Sequence, residues 1–262
     1  MSERSYRFTH AVVREIADSA TGGLRAVDTG APDLARFRQD LADYVAALRE
    51  TGAEVTVLPA LEAFPDSCFV EDAALCLPEC AIIMRPGAPS RLGEAAAMKP
   101  CLDDLYSTVL TISNGFIEGG DILVTGHEIL VGRSARTDSD GVAELTRLTE
   151  AFGHEVREVE TPLGVLHFKT DCSLMDHETI LATPRLDASG CFKDYRVIHT
   201  AEGEEACANA IRFNDLVLFP AGFPRTRDRL ADAGYTVREI GNSEAAKLDG
   251  GMSCLSLRFT PT

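Results

Sequence analysis

Short apolar runs recur in pairs along the chain, and a few turn-forming residues join the two runs of each pair. Each run is long enough for a strand, and the joining residues include Pro, Gly, Asn or Asp, which favour tight turns. The pattern therefore predicts four β-hairpins of similar design. Their strands are 73–77 with 81–85, 121–124 with 128–132, 172–175 with 179–183, and 210–213 with 216–220.

A helix and a further strand follow the second hairpin. Residues 139–152 carry apolar side chains at helical spacing, Gly153 suits the end of a helix, and 154–160 alternates as a half-buried strand does. The same order is predicted at two other places. These are 224–234 followed by 235–240, and, after a first strand at 6–14, 33–49 followed by 54–59.

A unit of two strands, a helix and a strand (ββαβ) is therefore used about five times. Asp72, Asp121 and Asp171 each open a hairpin, at spacings of 49 and 50 residues. The final strand, 253–259, has no hairpin partner after it and could pair with the first strand to close a ring. Such a repeat, without an interrupting linker, predicts one α/β domain over residues 1–262. A generic α/β sheet with accidental internal similarity is the alternative.

Composition narrows the class of protein. The 262 residues include 41 acidic and 25 basic side chains, giving a formal net charge of −16, and 45% of them are apolar. This apolar content excludes a disordered chain, and the acidic balance argues against a nucleic-acid-binding protein. No apolar run approaches the ~20 residues that a membrane-spanning helix requires. We therefore expect neither nucleic acid nor a membrane as a partner.

The eight cysteines indicate a reducing environment. None of them forms a C-x-x-C pair, and their spacing does not match a structural zinc site. The N-terminal segment is charged and lacks the apolar core of a signal peptide. We therefore expect free thiols and a cytoplasmic protein.

Polar residues interrupt the apolar pattern at three places where a buried strand is predicted to begin. Asp66, Glu71 and Asp72 lie just before the first hairpin. Glu118 precedes two glycines, which let the backbone approach a ligand, and His167 lies before the third hairpin. A His can pair with a nucleophile as acid or base. Structural interpretations stay open, because carboxylates at turns commonly cap or face solvent and a His beside a strand commonly packs.

Cys254 is the candidate nucleophile. It follows Asp249-Gly-Gly-Met-Ser at the start of the last predicted strand, near the mouth of the predicted ring. The seven other cysteines compete for this role on pattern alone.

Six segments carry a specific resemblance. They are Phe64-Pro-Asp-Ser-x-Phe-Val-Glu-Asp72, Arg85-Pro-Gly-Ala-Pro-Ser-Arg91, Glu118-Gly-Gly-Asp121, Gly132-x-Ser-x-Arg136-Thr137, Leu166-His-x-Lys169 and Asp249-Gly-Gly-x-Ser-Cys254. In order and spacing they resemble the compact bacterial form of the dimethylarginine dimethylaminohydrolase family, along nearly the whole chain. That family belongs to the guanidine-modifying penteins, so the resemblance implies a pseudo-symmetric five-bladed α/β propeller.

The resemblance also implies a mechanism. Cys254 would attack the guanidinium carbon of a methylated arginine as a thiolate, and His167 would protonate the departing dimethylamine or methylamine. His167 would then deprotonate water, which hydrolyses the covalent thiouronium to citrulline. Glu118 would orient His167 and contact the guanidinium. This chemistry needs a thiol, an imidazole and water, so neither a metal nor an organic cofactor is implied.

Seven residues are implied to bind substrate. Asp72 would hold the guanidinium nitrogens, and Arg91 and Arg136 would hold the α-carboxylate, whose geometry suits the planar guanidinium fork. Asp66 and the backbone of Leu24 would take the α-ammonium, and the Gly22-Gly-Leu24 segment could serve as a lid. The set is completed by Leu248, through a backbone contact, and by Glu71, with a less defined role.

One local difference bears on the choice of substrate. Arginine and agmatine deiminases, as families, carry His-x-Asp, and the Asp grips an unsubstituted nitrogen. Here the residues are His167-Phe-Lys169, which leaves room for an alkylated nitrogen. Deimination of arginine or another guanidine is the alternative activity, and a non-catalytic pentein that binds a partner is a third. The resemblance allows either a monomer or a homodimer.

Overall fold

Five three-stranded sheets contain all fifteen strands of residues 2–262, the part of the chain that the computed structural model describes. The strands are β1 (His10–Arg14), β2 (Glu54–Leu58), β3 (Ala74–Cys76), β4 (Ala81–Ile83), β5 (Val109–Thr111), β6 (Ile122–Val124), β7 (Ile129–Arg133), β8 (Val156–Glu160), β9 (Cys172–Leu174), β10 (Thr179–Ala182), β11 (Arg196–His199), β12 (Ile211–Phe213), β13 (Leu216–Pro220), β14 (Thr236–Ile240) and β15 (Leu257–Phe259). The α-helices are α1 (Leu34–Glu50), α2 (Leu92–Ala96), α3 (Lys99–Leu105), α4 (Ser139–Glu150), α5 (Pro184–Asp187), α6 (Pro224–Asp232) and α7 (Ser243–Ala246).

Every sheet has the same order: an antiparallel pair, then a parallel third strand. The pairs β3–β4, β6–β7, β9–β10 and β12–β13 are the four predicted hairpins, which are confirmed. The third strand of each of these sheets returns in parallel beside the second hairpin strand. Five sheets of one design exclude accidental similarity as the cause of the sequence repeat.

The fifth sheet joins the two ends of the described chain. β1 pairs with β15 in antiparallel register, with His10 opposite Phe259 and Val12 opposite Leu257, and it pairs with β2 in parallel. The predicted pairing of the last strand with the first is therefore confirmed. β15 begins later than predicted, because Ser253–Leu255 forms a 3-10 turn before it.

Side-chain caps explain where the two long helices begin. Asp33 accepts hydrogen bonds from the N–H groups of Ala35 and Arg36 at the start of α1, and Asp138 accepts one from Gly141 at the start of α4. Both helices bury one apolar stripe against the sheets. The third unit has only the single turn α5, which is too short to carry a periodic signal in the sequence.

Two of the recurring aspartates tie one unit to the next. Asp72 Oδ1 accepts the Gly120 N–H at 2.9 Å, and Asp121 Oδ1 accepts the Phe168 N–H at 2.8 Å. Both carboxylates are buried, and both lie in 3-10 turns that precede the first strand of a sheet. These bonds hold the turns of successive units side by side. None of the helices within residues 2–262 has the length and apolar character needed to cross a membrane.

Candidate active site

A cavity of about 160 Å³ lies where the turns before several sheets converge. Eight of the ten residues predicted for the site line it: Leu24, Asp66, Asp72, Arg91, Arg136, His167, Leu248 and Cys254. The structure therefore gathers into one place side chains that are widely separated in the sequence. The other two, Glu118 and Glu71, lie outside this lining and have different surroundings.

Cys254 is held in the turn before β15 and is 7% exposed. Its Sγ accepts the Gly251 N–H at 3.3 Å and lies 3.9 Å from the side-chain nitrogen of Asn209. Burial raises the pKa of this thiol to about 12, and the nearby carboxylates Glu71 and Asp72 add to the rise. The Cys254 side chain is consequently a neutral thiol near pH 7.

His167 and Glu118 form a buried acid–base pair. Nε2 of His167 lies 2.6 Å from Oε2 of Glu118, which is fully buried. Burial alone would lower the pKa of His167, but Asp72, Asp121 and Glu118 outweigh burial and raise it to about 9. Burial would raise the pKa of Glu118, yet His167 and two arginines hold it at about 2. At neutral pH the pair is therefore an imidazolium beside a carboxylate.

The double glycine after Glu118 is explained by close packing. A Cβ at Gly120 would lie 2.7 Å from both Asp72 Oδ1 and His167 Nδ1, and a Cβ at Gly119 would lie 1.9 Å from a backbone oxygen. A side chain at either position would push these groups apart.

Arg91 is buried and its donors are engaged by the protein. Its guanidinium donates to Asp72 Oδ2 at 2.5 Å, to Glu94, and to the backbone oxygen of Phe69 at 3.0 Å. The structure therefore pairs Arg91 with Asp72. Arg136 is more open: it meets Glu118 through one nitrogen at 3.3 Å, and its side chain is 20% exposed.

Asp66 and the backbone of Leu24, both predicted to bind the α-ammonium, are hydrogen-bonded to each other. The Leu24 N–H donates to Asp66 Oδ1 at 2.9 Å, and Asp66 is buried. A neighbouring bond links the Leu24 segment to the loop before the nucleophile, because the Ala26 N–H donates to Asp249 Oδ2 at 2.6 Å. Leu248, in the same loop, also lines the cavity.

Comparisons with known proteins agree with this geometry. The family model described as "N,N dimethylarginine dimethylhydrolase, eukaryotic" matches residues 33–163. The chain is 39% identical to the N(G),N(G)-dimethylarginine dimethylaminohydrolase of Pseudomonas aeruginosa, over 96% of this chain and 100% of that protein. It is 33% identical to the enzyme of the same name from Streptomyces coelicolor, over 82% of this chain and 83% of that one.

The chain belongs to the dimethylarginine dimethylaminohydrolase family.

Solved structures bear out the fold that was expected of this family. A mutant of the Pseudomonas aeruginosa enzyme complexed with citrulline matches with a TM-score of 0.94 at 39% identity, over 97% of this chain and 100% of that one. The N-terminal domain of the cyanobacterial arginine dihydrolase ArgZ matches with a TM-score of 0.81 at 19% identity, covering 96% and 97%, which shows a shared fold. The predicted five-bladed α/β propeller is thus confirmed.

Glu71 does not face the cavity, although the family resemblance implied a substrate contact. Its carboxylate accepts hydrogen bonds from Lys169 Nζ and Arg258 Nη2, both at 2.6 Å, and from Ser253 Oγ at 2.5 Å. These groups line a second cavity, of about 110 Å³. Neighbours in a tight turn point to different sides, so Asp72 faces one cavity and Glu71 the other. Glu71 supports the turn that carries Cys254.

Asn209 beside the thiol was missed in the sequence. It stands two residues before β12, just as Asp72 stands two residues before β3. Its position in the repeat, which matches that of Asp72, could have identified it. It was passed over because an uncharged amide is not an obvious catalytic group.

Three ligand atoms in this site are close enough to share a cation. One atom each from Asp72, Glu118 and His167 lies within 4.8 Å of the others. Both carboxylates already meet arginines, Asp72 through Arg91 and Glu118 through Arg136. The two guanidinium groups therefore already provide the positive charge that a bound cation would bring. This arrangement suits acid–base chemistry.

Proposed function

We propose that this protein hydrolyses Nω-methylated arginines, namely asymmetric dimethylarginine and monomethylarginine, to citrulline and dimethylamine or methylamine. One observation carries the proposal. A buried cysteine, a histidine and a carboxylate line a single cavity, in a chain that matches a dimethylarginine dimethylaminohydrolase over that enzyme's whole length.

The charges of the cavity suit both ends of such a substrate. Asp72 offers a carboxylate to the guanidinium, and Asp66 offers one to the α-ammonium. Arg136, which lines the same cavity, would bind the α-carboxylate. Because Arg91 already donates to Asp72, we assign it a supporting role: it holds Asp72 in position, in place of the direct carboxylate contact expected from the sequence.

Substrate binding would supply the thiolate. His167 carries a proton near pH 7 because its pKa is about 9, so it cannot take the proton of Cys254. A guanidinium beside Sγ is a cation and favours the charged form of the thiol. The proton of the Cys254 thiol then passes to water as the substrate binds.

The bond changes then follow in two halves. Sγ of Cys254 bonds to the guanidinium carbon, and the imidazolium of His167 gives its proton to the departing amine as the C–N bond breaks. This leaves a cationic thiouronium on Cys254 and a neutral imidazole. His167 next takes a proton from water, and the resulting hydroxide adds to the same carbon. The C–S bond then breaks with its electron pair going to Sγ, and the added hydroxyl gives its proton to that sulfur, which releases neutral citrulline and restores the thiol. Glu118 stabilises the imidazolium at both ends of the cycle.

The residue two places after His167 supports a methylated substrate over unsubstituted arginine. Lys169 occupies that position, and its ammonium is held by Glu71 at 2.6 Å. No carboxylate from this position is therefore available to grip a terminal nitrogen.

A four-substrate assay tests the proposal. Asymmetric dimethylarginine, monomethylarginine, arginine and agmatine are each incubated with the protein, and citrulline, methylamines and ammonia are measured. We expect citrulline and the matching amine from the two methylated substrates. Faster ammonia release from arginine or agmatine would favour deimination, and no turnover of any of the four would favour a non-catalytic binding protein.

We also propose a cytoplasmic location. All eight cysteines are free thiols, which suits a reducing compartment. Fractionation of the source cell would check this location, and analytical ultracentrifugation would distinguish the monomer from the homodimer, both of which the family resemblance allows.

A further inference from the structure

The unit that contains β12, β13 and β14 also contributes a polar side chain beside Cys254. Asn209 follows a 3-10 turn at Glu205–Ala208 and precedes β12 by two residues, the register that Asp72 has before β3. In other units the turn before the first strand supplies Asp72 from within the turn, and Glu118 and His167 from the residue that begins it. Asn209 therefore shares with Asp72, which lines the cavity, the position two residues before a strand.

The amide of Asn209 makes two contacts with the nucleophile turn. Its Oδ1 accepts the Ser253 N–H at 2.8 Å, and its Nδ2 points at Cys254 Sγ from 3.9 Å. Asn209 is 8% exposed, so water does not compete freely for these bonds. Sγ receives only one other hydrogen bond within residues 2–262, from the Gly251 N–H at 3.3 Å.

Gly251 packs against the side-chain amide of Asn209, with no room for a Cβ between them. A Cβ at Gly251 would lie 2.3 Å from Cγ of Asn209 and 2.5 Å from its Oδ1. The second glycine of the Asp249-Gly-Gly segment is thus required for the amide plane to lie against the backbone. The loop before the nucleophile and Asn209 form one closely packed unit.

We propose that Asn209 fixes the Ser253–Cys254 turn and stabilises the thiolate with its side-chain N–H, as a second donor beside Gly251. The proposal rests on the proposed role of Cys254 as nucleophile. An amide suits this position because it accepts from Ser253 and donates to sulfur at once. A carboxylate could only accept, and its negative charge would oppose thiolate formation.

Alkylation of Cys254 by iodoacetamide, without substrate, tests the assignment. The rate is followed between pH 7.5 and 9.5 by mass spectrometry of the Cys254 peptide, which separates this thiol from the other seven. Asn209→Asp keeps the acceptor for Ser253, removes the donor and adds a charge. We expect it to slow alkylation about tenfold at every pH in this range, the effect of a thiol pKa raised by about one unit. A higher thiol pKa slows the reaction but leaves it complete and proportional to hydroxide, whereas a blocked thiol would leave part of Cys254 unalkylated at the end of the reaction.

Asn242→Asp is the matched control. Asn242 donates to the backbone oxygen of Gly250 at 3.2 Å, so it holds the same loop. We expect its alkylation rate to stay within about twofold of wild type. Asn209→Ala, which adds no charge, is the second variant in case Asn209→Asp does not fold, and a smaller slowing in the same direction is expected. Unchanged alkylation in the folded Asn209 variants, or equal slowing in Asn242→Asp, would overturn the proposal.

Turnover gives an independent readout. With asymmetric dimethylarginine we expect Asn209→Asp to lower kcat at least tenfold while KM changes little, because the residue contacts sulfur and does not line the cavity. A raised KM with unchanged kcat would contradict a thiolate role. If wild type turned over none of the substrates, the proposed function would fail, while the alkylation rates would still decide the role of Asn209.

Discussion

Nε2 of His167 and Oε2 of Glu118 lie 2.6 Å apart, and less than a tenth of either side chain is exposed. The carboxylate stabilises the protonated imidazole, and the imidazolium in return keeps Glu118 ionised in a buried place. The pKa values of His167 and Cys254 are both raised. Without substrate, the site therefore holds a protonated imidazole that can act as an acid and a neutral thiol whose ionisation a bound cation would favour.

Removal of the nucleophile is the first test. Cys254→Ser is expected to lower kcat for asymmetric dimethylarginine by at least ~10³-fold, because a serine hydroxyl is a far weaker nucleophile here. Binding, measured by calorimetry, should change little. Cys101→Ser, at a half-buried thiol on α3, is the control and should retain turnover. A fully active Cys254→Ser variant would reject the assignment.

Glu118→Gln tests the electrostatic coupling to His167. The pKa of His167 is about 9 because carboxylates outweigh burial, so loss of one carboxylate lowers it. The protonated acid is then lost at a lower pH, and the basic limb of the kcat–pH profile should move down from near pH 9. We expect kcat at pH 8 to fall ~10²-fold or more.

The control for this change is Glu79→Gln. Glu79 pairs with His154 at 3.1 Å, and both side chains are partly exposed. Its pH profile should overlay that of the wild type. An unmoved basic limb in Glu118→Gln would show that a different group sets that limb.

Asp72→Asn should destabilise the fold as well as stop turnover. Asp72 and Arg91 form a buried ion pair, with side-chain exposures of 4% and 5%. Removing one partner leaves a buried charge less compensated, which typically costs about 3 kcal/mol or more. Urea unfolding measures this loss. Asp103→Asn, in the half-exposed pair with Lys99, should change the unfolding free energy by less than about 1 kcal/mol.

Glu71 and Asp66 should give opposite kinetic signatures. Glu71 contacts Ser253 but does not line the cavity, so Glu71→Gln is expected to lower kcat about tenfold with KM within about twofold. Asp66 lines the cavity, and Asp66→Asn should raise KM at least tenfold. Steady-state kinetics with asymmetric dimethylarginine distinguish the two. A KM effect of Glu71→Gln as large as that of Asp66→Asn would restore Glu71 as a substrate contact.

The elements best predicted from sequence were those with a strong local pattern. Hairpin strands such as Ile129–Arg133 are buried on both faces and read as continuous apolar runs, and α1 and α4 carry long apolar stripes. The short helix α5 and the 3-10 turn at Ser253–Leu255 were missed. A single turn has no periodicity to detect, and its form is set by the tertiary packing around it.

The sequence could not predict which way adjacent site residues face. Glu71 and Asp72 are neighbours in one motif, yet only the folded turn decides that they face different cavities. The sequence likewise predicted that the Arg91 guanidinium is free to bind substrate. In the structure it donates to Asp72 and Glu94, because a helix begins beside Arg91 and the sequence pattern does not reveal that helix. Residue type predicted the chemistry of the site, whereas its partners required the structure.

The pairing of β15 with β1 has a consequence for biosynthesis. Cys254 lies three residues before β15, and β15 can take its place only beside β1, which is synthesised before any other strand of the described chain. The blades between them can form as they leave the ribosome, but the ring and its thiol come together only after residue 259 has emerged. A nascent chain therefore carries His167 and the carboxylates of the site without Cys254, and any activity that depends on this thiol should appear late and in a single step.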